Sequence, residues 1–363
     1  MRVGIFLRRR FGYSAHGGSL ESILSVSRKS SFVAAILYFL FWPPLLSAKA
    51  QDKAGDLAVA HGLLEHGKTD EAVALLQRIS SQQPQLKGLA HEMGVALYKK
   101  SDFARAIPSL LKAVDEDHED KEAIQLLGLS YYFTGKFDDA IPLLKRSQSW
   151  YRLANVDALY VLGLCEIFVK DFDGARAVFA KMFDVPPDSG ASYLFTARML
   201  IRQDLGVAGE KYAQKAVALD PKLPLAHYLL GELYLSQSKI PEALTELEKE
   251  LDVNPGYAGV YYKLADANMR LGKFEDAERL LQRSIWLDPA STGPYILLGK
   301  VLEKKGESEL AVRTLRRALT MDPNNPISHY VLGQAYHQMG RNDEANTEFK
   351  LAEQLRQGEN AKP

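Results

Sequence analysis

The sequence contains a single cysteine, Cys165, among 363 residues. An internal disulfide is therefore impossible, and the chain must be stabilised by packing alone. A glycine-rich phosphate loop is also absent, because Gly206 and Gly209 lack the preceding strand and the spacing of such motifs. His61 and His66 lie five residues apart, a spacing that does not place two metal ligands on one helix face. We therefore predict a protein that is not an enzyme and that needs no cofactor and no metal ion.

Excess positive charge is absent from most of the chain. The whole sequence balances 45 basic residues against 45 acidic residues. Residues 1–50 hold seven basic residues and one acidic residue, so residues 51–363 hold 38 basic and 44 acidic residues, a net charge of −6. Because nucleic-acid binding calls for a basic surface, this balance indicates that nucleic acid is not the partner.

A long apolar run stands near the amino terminus, where residues 32–48 carry no charge. Basic residues precede this run, and the small residues Ala48 and Ala50 follow it, which is the pattern of a secretory signal peptide. We therefore predict that residues 1–50 form a signal peptide cleaved before Gln51. The alternative is an uncleaved membrane anchor, although the run contains Pro43-Pro44 and is shorter than the roughly 20 residues of a typical span. In both cases the remaining chain is expected outside the cytoplasm, in the periplasm or beyond the cell.

Two features of this leader stay open. The run Arg8-Arg9-Arg10 is similar to a twin-arginine export signal but lies about twenty residues before the apolar core, whereas such a signal normally abuts it. The basic region is also unusually long, so translation can start downstream of Met1.

The rest of the chain is built from one repeating pattern. Three similar segments, QLLGLSYYFTGKFDDA, YLLGELYLSQSKIPEA and YVLGQAYHQMGRNDEA, begin at Gln125, Tyr228 and Tyr330. Their starts are separated by 103 and 102 residues, about three periods of 34 residues each. A fixed period in this range is typical of stacked supersecondary units.

Stepping the chain by this period aligns four columns of similar residues. A Leu-Gly pair or its near equivalent recurs in each unit, and a small residue follows twelve positions after the glycine. The small column consists of Ala72, Ala106, Ala140, Ala175, Gly209, Ala243, Ala277, Ala311 and Ala345. The bulky apolar column, four positions further on, includes Leu76, Leu110, Leu144, Phe179, Leu247, Leu281, Leu315 and Phe349. A proline closes most units, at Pro84, Pro187, Pro221, Pro255, Pro289 and Pro323.

These columns predict two short helices in each unit. Apolar residues three and four positions apart give each helix one buried face. Small residues at the crossing point allow the two helices to approach closely, and glycines such as Gly135 and Gly272 break the chain between them. Proline cannot continue a helix, so it ends the second helix. The sequence therefore predicts an all-α fold of helical hairpins.

The pattern resembles the tetratricopeptide repeat family, whose signature W-x2-L-G-x2-Y…A-x3-F…P matches the columns in order and spacing. This resemblance implies an α-solenoid superhelix of about nine helix-turn-helix repeats over residues 51–363. The repeats are expected to start near Lys53, Lys87, Lys121, Val156, Gly190, Pro224, Ala258, Thr292 and Pro326. Seven of the eight steps are 34 residues long, and the step that ends the third repeat, near Arg152, is 35. In the fifth repeat, glycines in the second helix are expected to cost about 1 kcal/mol each.

In this family the first helices of successive repeats line a concave groove, and the resemblance implies which residues face it. The candidate groove residues are Tyr98, Tyr132, Tyr160, Arg198, Tyr228, Glu232, Tyr262, Asp266 and Tyr330. Tyrosine is favoured where one end of a side chain is apolar and the other is wet. For each tyrosine taken alone, wedging two helices together is the preferred interpretation, but the set together favours a binding surface. Glu232 and Asp266 favour a ligand with basic residues.

Some eukaryotic co-chaperones of the family hold a C-terminal carboxylate with lysine, arginine and asparagine side chains. The corresponding positions here are Leu57, His61, His91, Val95, Gln125 and Leu129. The tail of a heat-shock chaperone is therefore not the expected ligand.

We expect an exported scaffold or adaptor that binds a protein or peptide in its groove. The alternative is a structural component of an envelope assembly, such as exopolysaccharide-secretion or pilus-assembly machinery, in which exported members of the family act. Contact with a membrane is expected only through residues 1–50 if they are retained. The identity of the partner, the pathway and the oligomeric state stay open, including a dimer through the last helix.

Overall fold

The computed structural model describes residues 48–150 and 156–360. Residues 1–47 of the predicted signal peptide and Arg152 of the irregular third repeat lie outside the described residues, so these predictions stay predictions. The contacts separate residues up to Gln51 from the unit Asp52–Pro363, and the repeats belong to that second unit. Within the described ranges, no helix combines the length and the apolar character needed to cross a bilayer.

The described residues form eighteen α-helices, arranged as nine consecutive pairs. The first helices of the pairs are α1 (Ala48–Glu65), α3 (Leu89–Lys99), α5 (Lys121–Phe133), α7 (Val156–Phe168), α9 (Gly190–Arg202), α11 (Ala226–Ser236), α13 (Ala258–Arg270), α15 (Thr292–Lys304) and α17 (Pro326–Gln338). The second helices are α2 (Thr69–Gln82), α4 (Phe103–Glu116), α6 (Phe137–Ser147), α8 (Phe172–Met182), α10 (Gly206–Leu219), α12 (Ile240–Val253), α14 (Phe274–Leu287), α16 (Ser308–Met321) and α18 (Asn342–Asn360). A short 3-10 turn, Gln148–Trp150, follows α6. From α2 to α18 each helix packs on its neighbours in sequence, and α1 shares a buried cluster with α2 and α3, so the predicted all-α helix-pair solenoid is confirmed.

The glycine column and the bulky column meet inside each helix pair. A Cβ atom added to Gly231 would lie 2.6 Å from Cγ of Leu247, and one added to Gly299 would lie 2.6 Å from Cγ of Leu315. Both leucines and the small-column residue Ala311 are fully buried. Any larger side chain at these glycines would force the two helices apart, which explains why the columns recur together.

The turn between the two helices has the same backbone conformation in every described repeat. One residue of each turn has a positive φ, between 59° and 79°. These residues are Gly67, Ser101, Gly135, Lys170, Asp204, Ser238, Gly272, Gly306 and Gly340. Glycine adopts this left-handed conformation freely, whereas Ser, Lys and Asp adopt it at a cost.

Six of the first helices begin at the predicted repeat start, and two begin two residues later. Gly88 and Leu225 precede these two helices with φ values of 85° and 69°. The fully buried Glu250 supports the strained Leu225, because its Oε1 atom accepts the Leu225 N–H at 2.8 Å. Its other oxygen accepts the N–H of Tyr228 at 3.2 Å.

The carbonyl of each closing proline lies within hydrogen-bond distance of a side chain from the following repeat. In the last four cases the partner stands six residues after the proline. The pairs are Pro84–Lys112 (2.7 Å), Pro187–Ser192, Pro221–His227 (3.2 Å), Pro255–Tyr261 (3.0 Å), Pro289–Tyr295 (3.3 Å) and Pro323–His329 (2.9 Å). These bonds tie the loop that follows each of these six second helices to the next repeat.

Candidate protein-binding surface on the first helices

The first helices form the inner layer of the array. Consecutive first helices contact each other directly from α3 to α7 and again from α11 to α17. Successive second helices approach each other less closely, although the Tyr212 hydroxyl of α10 donates to Oδ1 of Asp173 on α8 at 3.1 Å. The more closely spaced layer lies on the inside of the curvature, and such concave surfaces are where solenoids bind their ligands.

Three candidate residues on this layer form what we call the tyrosine surface: Tyr228 on α11, Tyr262 on α13 and Tyr330 on α17. Each stands at the fifth position of its repeat. Tyr228 and Tyr262 are half-buried, whereas Tyr330 is 45% exposed and its ring lies 5.5 Å from that of Phe349. All three rings are therefore accessible from the inner side.

Tyr228 is fixed by two neighbours. Its hydroxyl donates to Oε1 of Glu232 at 3.0 Å, and its ring meets that of Tyr257 edge-on with centroids 5.2 Å apart. Burial raises the pKa of Tyr228 far above its usual value, and the nearby Glu232 carboxylate adds to this effect. The side chain is thus a neutral, oriented aromatic ring.

Tyr262 lies against the start of the next repeat. A Cβ atom added to Gly293 would lie 3.6 Å from the Tyr262 ring, an ordinary contact distance. Burial raises the pKa of Tyr262 as well, so it too is neutral. The ring therefore bridges two repeats and is only partly covered by them.

Both acidic candidates have basic partners within the chain. Glu232 Oε1 lies 2.8 Å from Lys263 Nζ of the next repeat, and Asp266 Oδ2 lies 2.8 Å from Arg270 Nη2. Arg270 also donates to the Leu235 carbonyl at 2.9 Å. The expectation of a basic ligand relied on two free carboxylates, and these ion pairs remove that support. The surface offers aromatic rings between neutralised charges.

Tyr98 and Tyr132 are packed into an aromatic joint between repeats. The Tyr98 ring lies 5.4 Å from that of Phe103, which stacks on Phe133 at 4.3 Å. Phe133 in turn lies 5.2 Å from Tyr132. Burial raises the pKa of Tyr98 to about 12. These contacts favour the wedging interpretation for these two tyrosines.

Tyr160 and Arg198 occupy the inner side of the middle repeats. Tyr160 is half-buried and packs against the cluster that contains Phe179 and Leu200. Arg198 is exposed and has no ion-pair partner within the described ranges. Neither residue joins the tyrosine surface directly.

Histidines and carboxylates occupy the inner side of the first three repeats. His61 Nδ1 lies 3.0 Å from Glu92 Oε1, and His91 Nδ1 lies 2.5 Å from Asp120 Oδ2. Glu122 and then Asp120 raise the pKa of His91 to about 9, against the opposing effect of burial. The pKa of Glu122 is lowered in return. This network satisfies its own charges, in keeping with the missing carboxylate clamp.

Two observations concern metal ligands and a possible nucleophile in the part of the chain that the structure describes. That part contains no group of three or more His, Cys, Asp or Glu side chains able to hold a metal ion. Burial raises the pKa of the Cys165 thiol to about 12, which disfavours the reactive thiolate.

Sequence reasoning missed the basic partners of the acidic candidates. Asp266 and Arg270 are four residues apart on one helix, a spacing that itself indicates an ion pair. Glu232 and Lys263 are 31 residues apart and belong to different repeats, so their pairing depends on how far one repeat rotates against the next. The length of the repeat in the sequence does not specify this rotation.

Models of the tetratricopeptide repeat match most of the region that carries this surface. The matches described as "Tetratricopeptide repeat" cover residues 91–148, 125–182, 228–294 and 327–358, and the one described as "TPR repeat" covers residues 299–340. Together they span more than half of the chain, which therefore belongs to the tetratricopeptide repeat family. In its architecture the chain is a protein-interaction scaffold.

Individual relatives are distant. Mouse Superkiller complex protein 3 is 25% identical over 248 residues, which is 56% of this chain and 16% of that protein. The chain thus spans about a sixth of the length of this relative. The structure of MamA from Desulfovibrio magneticus is 18% identical, with a TM-score of 0.43 over 47% of this chain and 97% of that one. YrrB, described as having an unusual peptide-binding site, is 21% identical, with a TM-score of 0.41 over 49% and 91%. Similarities of this size concern the repeat fold only.

Proposed function

We propose that the chain is a non-catalytic scaffold that binds a segment of another protein along its inner layer, on the tyrosine surface. The observation that carries this proposal is the state of Tyr228, Tyr262 and Tyr330. Tyr228 and Tyr262 are neutral, half-buried rings, and Tyr330 is an exposed ring. All three stand on the first helices of their repeats, and the surrounding helices enclose none of them completely. A partner segment would complete their burial.

The chemistry of the surface favours apolar and aromatic anchors in the ligand. Glu232 and Asp266 are already paired, so a basic ligand would have to displace Lys263 and Arg270 from them. A ligand that places apolar side chains against the rings needs no such exchange. Tyrosine is enriched among the residues that dominate the energy of protein interfaces, and truncating one such anchor typically costs about 2 kcal/mol or more.

We further propose that the scaffold works outside the cytoplasm, delivered there by residues 1–50. The leader pattern supports this proposal, and N-terminal sequencing of protein from the native host tests it. Gln51 as the first residue supports cleavage, and Met1 in a membrane fraction supports the anchor. Intact chain in the cytosol contradicts both.

Quantitative capture tests the binding proposal. Immobilised wild-type chain and the variant Tyr228→Ala/Tyr262→Ala are incubated with soluble and detergent-solubilised membrane fractions of the native host, and captured proteins are quantified by mass spectrometry. We expect the double variant to weaken capture of the specific partner at least about tenfold. Circular dichroism should show nearly unchanged helicity, because both rings are only half-buried. The fraction that contains the partner separates a soluble ligand from an envelope assembly.

The matched control is Lys211→Ala/Lys215→Ala on the second helix α10. Both lysines are exposed, and the change should leave capture unaltered. Tyr330→Ala provides a second test that is independent of folding, because its ring is the most exposed of the three. A folded double variant with wild-type capture contradicts the proposal, and so does an equal loss in the lysine control.

A further inference from the structure

A cleft opens on the opposite side of the array, between the second helices of repeats seven and eight. It has a volume of about 390 Å³. Ile285 of α14 and Leu298 of α15 supply apolar surface, while Arg313 and Arg317 of α16 stand at its edge. The cleft lies on helices that do not carry the tyrosine surface.

In several repeats the residue at the fourth position contacts the residue nineteen positions later, and we call this contact between the two helices the joint. The cleft exists because one residue of repeat eight is too small to fill its joint. In repeat six, His227 at the fourth position lies 2.5 Å from Glu246, nineteen residues later. Repeat nine has the same contact, between His329 and Glu348 at 2.6 Å. In these two repeats, therefore, the glutamate on the second helix fills the joint with the histidine on the first helix.

Repeats five and eight differ at this same joint. In repeat five the pair is Tyr193 and Tyr212, whose rings lie 5.5 Å apart and occupy the space. In repeat eight the pair is Tyr295 and Thr314, and both line the open cleft. The Tyr295 hydroxyl donates to the Pro289 carbonyl at 3.3 Å, and Thr314 is smaller than the Tyr212, Glu246 and Glu348 side chains that stand at the same repeat position.

The charge at the cleft is positive and not neutralised. Arg313 and Arg317 are exposed and have no ion-pair partner within residues 48–150 and 156–360. Two acids of the adjoining helix α14 are engaged elsewhere, since Asp276 pairs with Arg279 and Glu278 lies 2.6 Å from the lysine at position 305. The two arginines stand four residues apart, so both project from the same face of α16.

Helix α14 also carries one strongly exposed aromatic ring. Trp286 follows Ile285 directly and is 69% exposed, although tryptophan is among the least common residues to be left in water. The Arg283 guanidinium lies 4.3 Å from the centre of its ring and holds it from one side.

We propose that this cleft is a second binding site, for an acidic segment of a partner protein in which a hydrophobic side chain stands between carboxylates. The hydrophobic side chain lies over Ile285 and Leu298, and the carboxylates pair with Arg313 and Arg317. Arginine suits this role because its planar group binds carboxylates with two parallel hydrogen bonds. The cleft and the tyrosine surface are separate sites, so an experiment can contradict the proposal for one site and leave the proposal for the other unaffected.

Fluorescence anisotropy with a defined probe tests this site. The probe is a fluorescein-labelled synthetic peptide that repeats Glu-Leu-Glu, titrated with the full chain. Arg313→Glu/Arg317→Glu should weaken binding at least about tenfold, because repulsion replaces two charge-assisted contacts. Thr314→Tyr should cause a similar loss with no change in charge, because it closes the joint in the way that Tyr212 closes repeat five.

The matched control is Lys211→Glu/Lys215→Glu. These lysines occupy in repeat five the positions that the two arginines occupy in repeat eight, and the reversal changes the net charge equally. Since Tyr212 fills that joint, the control should retain binding within about twofold. Tyr228→Ala/Tyr262→Ala should also retain it. Circular dichroism of every variant verifies folding.

Four outcomes would overturn the proposal. The peptide fails to bind the full chain, or the lysine control loses as much affinity as the arginine variant. Folded Thr314→Tyr binds the peptide like the wild type, which shows that the cleft is not used. Finally, Arg198→Glu/Lys300→Glu abolishes binding while Arg313→Glu/Arg317→Glu does not. This result would place the peptide on the inner layer.

Discussion

The inner side of repeats one to three and the inner side of repeats six to nine are built on the same helix positions but present different chemistry. His91 and Tyr228 both stand at the fifth position of their repeats. His91 is held by Asp120 and Glu122, all from the chain itself. Tyr228 makes one internal hydrogen bond through its hydroxyl and leaves part of its ring uncovered.

This difference separates what stabilises the array from what is available to a partner. In the first three repeats the polar side chains find their partners in the adjacent repeat, so the surface is already satisfied. In the later repeats Glu232 and Asp266 are paired and aromatic surface remains, for which water is a poor partner. The repeat period supplies the positions, and the side chains at those positions decide which part of the array binds.

The largest expected effect tests whether both regions share one scaffold. Ala106→Leu in repeat two and Ala277→Leu in repeat seven each place a larger side chain at a fully buried helix crossing. Both should lower the free energy of unfolding by roughly 1–3 kcal/mol, measured by urea denaturation. An unchanged midpoint in either variant would show that the small column is not the crossing point there.

The helix pairs could be predicted from the sequence because they follow from columns that repeat nine times. The leucine-glycine column and the bulky column were visible as spacing, and the structure shows that Gly231 contacts Leu247 across the pair. Two features could not be predicted. The Glu232–Lys263 pair depends on the rotation between repeats, and the open joint at Thr314 depends on which of several side chains fills a space. Both are properties of packing between repeats, which a period within the chain does not specify.

The next expected effect is a pH dependence at His91 in the first region. The pKa of His91 is raised to about 9 in the folded chain from 6.5, with Glu122 and Asp120 as the facing carboxylates. Its stabilising contribution is therefore complete below about pH 6.5 and is lost as the pH rises through about 9. The difference in unfolding free energy between wild type and His91→Gln should shrink over that interval.

Tyr262→Phe provides the comparison from the second region. Burial raises the pKa of Tyr262 above its usual value, so this group does not ionise in the same interval. The difference between wild type and Tyr262→Phe should stay constant from pH 6.5 to pH 9. Parallel curves for both variants would contradict the assignment of the pH dependence to His91.

A smaller effect is expected at the turns, and it should be equal in both regions. Ser101 and Ser238 have φ values of 65° and 60°, a conformation that glycine adopts without strain. Ser101→Gly and Ser238→Gly should each stabilise the chain by up to about 1 kcal/mol, offset in part by the greater freedom of glycine when unfolded. Thermal unfolding followed by circular dichroism measures this gain. A clear loss of stability in both variants would contradict the claim that the two serines are strained.

The smallest expected effect concerns Tyr330. Its ring is nearly half exposed, so Tyr330→Ala should change the free energy of unfolding by less than about 0.5 kcal/mol. Urea denaturation measures this value, and Tyr98→Ala is the comparison from the first region. Because Tyr98 belongs to the packed aromatic joint with Phe103, its removal should cost several times more. Equal costs would mean that the two tyrosines are equally structural.

Site-specific photocrosslinking tests the central claim most directly. A photoreactive phenylalanine derivative replaces Tyr262 on the tyrosine surface, His91 in the first region or Lys215 on the outer helix α10, and each protein is irradiated in native-host extract. We predict that one partner protein is crosslinked at position 262 and that unlabelled wild-type chain competes for it, with little crosslinking of that partner at positions 91 and 215. The same partner crosslinked equally at position 91, or at position 215 but not at 262, would contradict the claim that the tyrosine surface binds it.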